Sequence, residues 1–313
     1  MKKTIKPFFL FTLVLTLGFI IASCGSTPPP AQPAVPEPSA PAPQPPAPAP
    51  APPPPAPPAP PPPAPQPSGP PQISVSLSPR YFSPDGDGVD DQLYVSINLR
   101  GETPIAEWKI EITEPEPPYL LFSEWSGKGN PPAQIVWDGR STKGELVQSA
   151  MDYPFTVTAT NILGLSSTYK GVIETDVLVI REGNQLRVQV PSIVFGSNSG
   201  GFTGLDGNTI SNNDAILRRV ALVLNKFGTY KVTVEGHANS TATTESARRL
   251  EQERELQPLS QQRAQYVMDY LDRLGVSRSR LTAVGIGGAR PLAPYSDRDN
   301  WWKNRRVEFI LVK

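Results

Sequence analysis

Side chains that ligate soft metals or carry redox chemistry are nearly missing: there is one His and one Cys in 313 residues. A multi-His or multi-Cys metal site and a disulfide within the chain are therefore excluded. Neither sign of charge is in excess, with 29 Lys+Arg against 29 Asp+Glu, which argues against a general nucleic-acid binder. Glycine does not recur at every third place, so a collagen helix is excluded. Pro7 to Ile21 runs 15 residues without a charge. As a helix it would measure roughly 22 Å, short of the ~30 Å hydrocarbon core, so it does not read as a spanning anchor.

Proline is plentiful but uneven. Of 40 prolines, 26 fall in the 44 residues from Pro28 to Pro71, and the remaining 269 residues hold 14. The second density is ordinary for a globular sequence. The chain thus reads as multidomain: a disordered Pro/Ala-rich linker and roughly 240 residues able to fold, enough for two domains.

The start reads as an address. Lys2, Lys3 and Lys6 precede the uncharged run, the pattern of a secretory signal peptide over residues 1–23. It ends Ile21-Ala22-Ser23-Cys24, which resembles the bacterial lipoprotein box. The resemblance implies lipid on Cys24, anchoring to outer-membrane lipid, and a periplasm-facing protein, since no Asp follows the Cys. Residues 24–71 then form the lipidated Cys and its tether. A Pro/Ala run has no apolar core to build and favours polyproline II, reaching up to ~136 Å over its 44 residues.

Charge separates the rest. Residues 72–184 carry 8 bases and 16 acids, and residues 185–313 carry 18 bases and 12 acids. The balanced total hides an acidic middle and a basic end.

Residues 72–184 read as β. Leu93, Val95, Ile97 and Leu99 alternate with polar residues, as do Trp108, Ile110, Ile112 and Phe155, Val157, Ala159; period-2 patterns without a helical stripe predict an all-β sandwich. Phe82 to Asp91, Trp137-Asp138-Gly139, and Tyr153 to Asn161 followed by Gly164 together resemble the Ig-like domain of the flagellar hook-capping (FlgD-type) family. Asp85, Asp87 and Asp91, with Gly88, match places in a calcium loop, but Ser83 stands at its first place and no Glu closes it. Two expectations follow for this turn: bound Ca2+, or Asp side chains capping backbone amides.

In residues 185–313, Ile216, Val220, Val223 and Phe227 form one helical stripe, and Ala264, Val267, Met268, Leu271 and Leu274 a second. Lys231–Glu235, Leu281–Ile286 and Arg306–Val312 read as strands, so the segment is an α/β sandwich. Gly236-His237-Ala238-Asn239, Leu259-Ser260-Gln-Gln-Arg263-Ala264, Gly285-Ile-Gly287, Pro291 and Asn304-Arg305-Arg306-Val307-Glu308 resemble the OmpA-like C-terminal domain. The resemblance implies a mixed sheet and non-covalent binding of the peptidoglycan stem peptide. In that family an Asp and an Arg grip the diamino acid; the matching positions here are Asn239 and Arg263.

Ser260 is expected to cap a helix starting at Gln261, placing Arg263 in its first turn beside free amides. Asn239 contributes no opposite charge. The spacing from Asn239 to Leu259 is longer than the family's, and Glu245–Glu255 reads as a solvated helix beside the cleft. His237 reads as a strand-end residue lining the site, and without a second His or a Gly-x-Ser-x-Gly motif no catalytic triad is available. Trp301-Trp302 is expected to pack against the sheet, and Arg305 and Arg306 to be structural. The expected function is a non-enzymatic tether between outer membrane and wall. The rival is an envelope scaffold or surface adhesin whose Ig-like domain binds an envelope protein.

Overall fold

The computed structural model describes residues 69–313. Cys24, the signal segment and the Pro/Ala run as far as Ser68 lie outside the described residues.

The first part holds β1 (Gln72–Ser78), β2 (Tyr81–Phe82), β3 (Leu93–Arg100), β4 (Ile105–Thr113), β5 (Leu121–Lys128), β6 (Gln134–Trp137), β7 (Asp152–Asn161) and β8 (Ser166–Thr175). They form a three-stranded sheet, β1-β3-β6, and a five-stranded sheet, β2-β8-β7-β4-β5. Alternation decides which faces meet. Leu93, Val95 and Ile97 from one sheet and Trp108, Ile110, Ile112, Phe155 and Val157 from the other are buried in one core, while their neighbours along the strands face outward. Aromatic rings fill it, with Phe82 against Trp137 at 5.5 Å and Phe122 against Tyr153 at 5.1 Å between centroids.

The second part holds β9 (Ile180–Glu182), β10 (Gln185–Val190), α1 (Gly207–Lys226), β11 (Lys231–His237), α2 (Glu245–Glu251), α3 (Gln257–Arg273), β12 (Leu281–Gly287) and β13 (Val307–Val312). Its sheet runs β12-β11-β13-β10-β9. β11 pairs with β12 in parallel and with β13 antiparallel, so the sheet is mixed as expected. β9 pairs with β10; Ile180–Glu182 therefore joins this sheet, while Ile180 also packs against the core of the first part.

Both helical stripes face one core. Ile216 and Val220 of α1 and Ala264, Val267, Met268 and Leu271 of α3 are buried with Val232, Val234, Phe309 and Leu311 of the sheet. Helix α1 starts at Asp206, whose carboxylate accepts from the amides of Asn208 and Thr209 at 2.9 and 3.0 Å. These bonds satisfy two otherwise orphaned donors.

One expectation fails here. Ser260 does not cap a helix. α2, a π-helical turn over Gln252–Leu256 and α3 follow each other without a break, with Pro258 inside the run, its missing amide donor falling beside the π-helical turn. Ser260 sits inside α3, fully buried. Its hydroxyl donates to Gln257 O at 2.9 Å and accepts from Gly287 N at 2.8 Å. The side chain that was to cap a helix fastens α3 to the end of β12 instead.

The two parts are locked together. Trp302 is buried in the core of the first part, not against its own sheet. Lys303 is buried between Glu114, at 2.9 Å, and Glu145, at 2.6 Å. Val179 N donates to Asp85 Oδ2 at 2.9 Å.

Candidate functional site

A cleft of about 290 Å3 opens where the two parts meet. Phe195, Arg263, Arg305 and Trp302 line it from the second part, and Glu116 from the first. The wall at Phe195 is held by Asn213 of α1, whose amide side chain bonds Val194 N and O at 3.0 and 2.7 Å. Arg263 projects from the second turn of α3. Its guanidinium lies 4.9 Å from the Phe195 ring centre, and its Nε donates to Ser199 O at 3.1 Å. Among the described residues no carboxylate lies within ion-pair distance of it. Burial, together with the Arg305 charge, lowers the Arg263 pKa from its ordinary value. A cation held in place by an aromatic face and one carbonyl keeps most of its donors for a ligand.

His237 ends β11 and also lines the cleft. It belongs to a charged cluster on the sheet face opposite the helices. Glu235 and Glu308 are in register, so both project to that face. His237 Nε2 stands 3.5 Å from Glu235 and 3.8 Å from Glu308. Arg306 Nε holds Glu308 at 2.6 Å, and Arg290 holds Glu235 at 2.6 Å. Burial pushes the His237 pKa down, against the nearby Glu235 and Glu308 carboxylates, which push it up. For Glu235, burial acts upward, but the nearby His237 ring and the bond from Arg290 leave its pKa lowered. Arg306 is buried in this cluster, and both it and the exposed Arg305 line the cleft.

Asn239 does not line the cleft. It is buried, its Oδ1 accepting from Asn304 at 2.8 Å and its Nδ2 donating to Ser240 O at 2.8 Å. Of the four residues singled out by sequence, Arg263 and His237 meet at the cleft, while Asn239 and Ser260 brace the loops and helix behind it. Glu251 of α2 is engaged within its own neighbourhood. Its carboxylate accepts from the Ser240 hydroxyl and from the amides of Thr241 and Ala242, at 3.2 and 3.3 Å; burial pushes its pKa up, but these bonds together outweigh it and leave the pKa lowered.

Sequence reasoning missed Phe195 and Glu116. Phe195 follows Pro191 in a segment without period and left no signal. Glu116 lies among prolines in a turn, and nothing local marks it as facing another domain.

The Asp turn is closed by its own amides. Asp91 accepts from Gly86 N and Gly88 N at 2.7 and 2.8 Å, and Asp87 from Val89 N at 2.8 Å. Gly86 and Gly88 take positive φ of 82° and 90°, which side chains resist. Burial raises the Asp85 pKa.

Comparison with known proteins follows the same division. Residues 206–305 match the OmpA family. The chain is 33% identical over 138 residues to the probable lipoprotein YiaD of Escherichia coli (strain K12), covering 44% of this chain and 56% of that protein. It is 35% identical over 109 residues to the peptidoglycan-binding protein ArfA of Mycobacterium tuberculosis (strain ATCC 25618 / H37Rv), covering 34% and 31%. It is 33% identical over 111 residues to the peptidoglycan-associated lipoprotein of Mesorhizobium japonicum, covering 35% and 61%. The chain thus spans between 31% and 61% of the length of these relatives. Its C-terminal region carries an OmpA-like domain whose relatives include peptidoglycan-associated lipoproteins.

Proposed function

We propose that this protein binds peptidoglycan non-covalently through its C-terminal region and ties the outer membrane to the wall. The observation that carries the reading is Arg263: a half-buried guanidinium, held by Phe195 and Ser199, with no carboxylate within ion-pair distance among the described residues. Such a group suits a ligand carboxylate, which it can meet with two parallel donors, and the stem peptide's diamino acid offers one. The relatives named for peptidoglycan support the ligand class. Lipid on Cys24 would supply the membrane end and the Pro/Ala run the span. The reading requires no bond breaking. The FlgD-type Ig-like identity of the two-sheet part belongs to this reading and rests on the Phe82–Asp91 and Trp137-Asp138-Gly139 resemblances. Asp85, Asp87 and Asp91 each offer a carboxylate oxygen within 4.8 Å of the others, which would suit a Ca2+ ion, and Asp85 also joins the two parts through Val179 N.

Sedimentation with purified sacculi tests the proposal. Wild type should co-sediment. Arg263→Ala should lose at least about tenfold in affinity, the worth of one charge-assisted bond. Its melting temperature should fall only a few degrees, because about 1 kcal/mol of stacking and hydrogen bonding goes with the side chain. Equal sedimentation of the two proteins would remove Arg263 from the site.

A further inference from the structure

The cleft is built by both parts of the protein, and its two signs of charge come from different parts. Arg263, Arg305 and Arg306 line the C-terminal wall, Arg306 already paired with Glu308 at 2.6 Å, and Glu116 is the sole carboxylate among the described residues lining the cavity. Arg263, Arg305 and Glu116 share the cleft without pairing: none of the three takes part in an ion pair within 4.0 Å among the described residues. Opposite charges that served only to hold the two parts together would touch, as Lys303 does with Glu114 and Glu145.

That buried lysine fixes the arrangement. Glu114 lies two residues before Glu116, and Lys303 two residues before Arg305. The 2.9 Å bond between Lys303 and Glu114 therefore sets the turn carrying Glu116 against the segment carrying Arg305. The turn is closed by Tyr119 N on Glu116 O at 2.9 Å and Glu114 N on Leu120 O at 2.7 Å, which fixes its backbone.

We propose that Glu116 of the two-sheet part is a binding residue of the cleft, receiving the ammonium of a zwitterionic ligand whose carboxylate meets Arg263 and Arg305. The inference rests on the peptidoglycan reading above and names the part of the ligand that is held: the end of the stem peptide where a diamino acid carries a free carboxylate and a free ammonium. Asn239 is neutral and turned inward to Asn304, so the acid comes from the neighbouring part instead of the end of β11. The two-sheet part is then a piece of the receptor, and a ligand in the cleft touches both parts.

Calorimetry on the full chain tests this with two probes: a soluble stem peptide carrying a free diamino acid, and the same peptide with that ammonium acetylated. Wild type should bind the free form about tenfold more tightly, as expected for one charged hydrogen bond. Glu116→Gln should bring the ratio close to one by weakening only the free form. Glu116→Lys should reverse the preference. Because Glu116 is exposed, both variants should keep the wild-type melting temperature. Arg263→Ala should weaken both probes alike. An unchanged ratio in Glu116→Gln overturns the proposal. So does a tighter grip on both probes, which would mean that Glu116 competes for the arginines. Failure of wild type to bind either probe or sacculi would instead sink the peptidoglycan reading, and this inference with it.

Discussion

Lys303 carries a charge to a place where a lysine is costly unless paired. Its side chain is 7% exposed, that of Glu114 is 8% and that of Glu145 is 44%. Water screens the pair with Glu145, so the pair with Glu114 carries most of the worth. Lys303→Met removes the cation and leaves Glu114 buried without compensation, a change that costs about 3 kcal/mol. Adding Glu114→Gln should restore much of the loss, because the stranded charge goes too. The pH dependence has a definite sign. Burial already holds the Glu114 pKa above the ordinary carboxylate value, and without Lys303 it rises further. A carboxyl whose folded pKa exceeds its unfolded one favours the fold most when protonated. The Lys303→Met deficit should therefore be largest near pH 8 and shrink toward pH 5. Urea midpoints of wild type, single and double variants at both pH values decide it; a deficit that does not vary with pH would place the cost elsewhere.

At the scale of the element, the helical run from Glu245 to Arg273 shows what sequence conveys and what it hides. The stripe from Ala264 to Leu271 was legible because period 3.6 is a property of the chain alone. The start of the helix was misplaced because Ser260 has the chemistry of a cap, and whether a hydroxyl caps or bonds back into its helix depends on what lies beside it. Here Gly287 lies beside it. The strands were legible for the same reason as the stripe, but the cleft was not, since no pattern within one element announces that Glu116 and Arg263 face one cavity.

The close approach of α3 to the sheet has its own consequence. A Cβ on Gly285 would stand 2.5 Å from Gln261 N and 2.6 Å from Gln257 O, both backbone atoms that cannot step aside. Gly285→Ala should thus push α3 off β12 and cost about 2 kcal/mol, at the overpacking scale. The same displacement carries Arg263, so sacculus binding should fall with stability. Retained stability in this variant would show that the helix can shift without loss.

At the scale of the molecule, the two parts are joined by more than a chain. Trp302 fills the first part's core from the second, while Ala150 and Val177 fill the second part's core from the first. Arg219 of α1 reaches Asp176 at 3.3 Å. Such exchange of core residues couples the unfolding of one part to the other. Only a boundary between two compositions, at 184, was legible in the chain, because exchange of this kind leaves no trace in period or charge. Scanning calorimetry on the full chain should therefore show one transition, with calorimetric and van 't Hoff enthalpies in agreement. Trp302→Ala leaves a cavity in the core of the first part at a cost of about 3–5 kcal/mol. Because that side chain crosses between the parts, the loss should also split the transition in two, the first part melting earlier. The coupling bears on binding as well: a cleft walled by Glu116 and Arg263 keeps its width only while the joint holds. Trp302→Ala should then weaken sacculus binding at temperatures where each part is still folded. Two separate transitions in the wild type would show that the joint does not couple the parts, and the fixed cleft would fall with it.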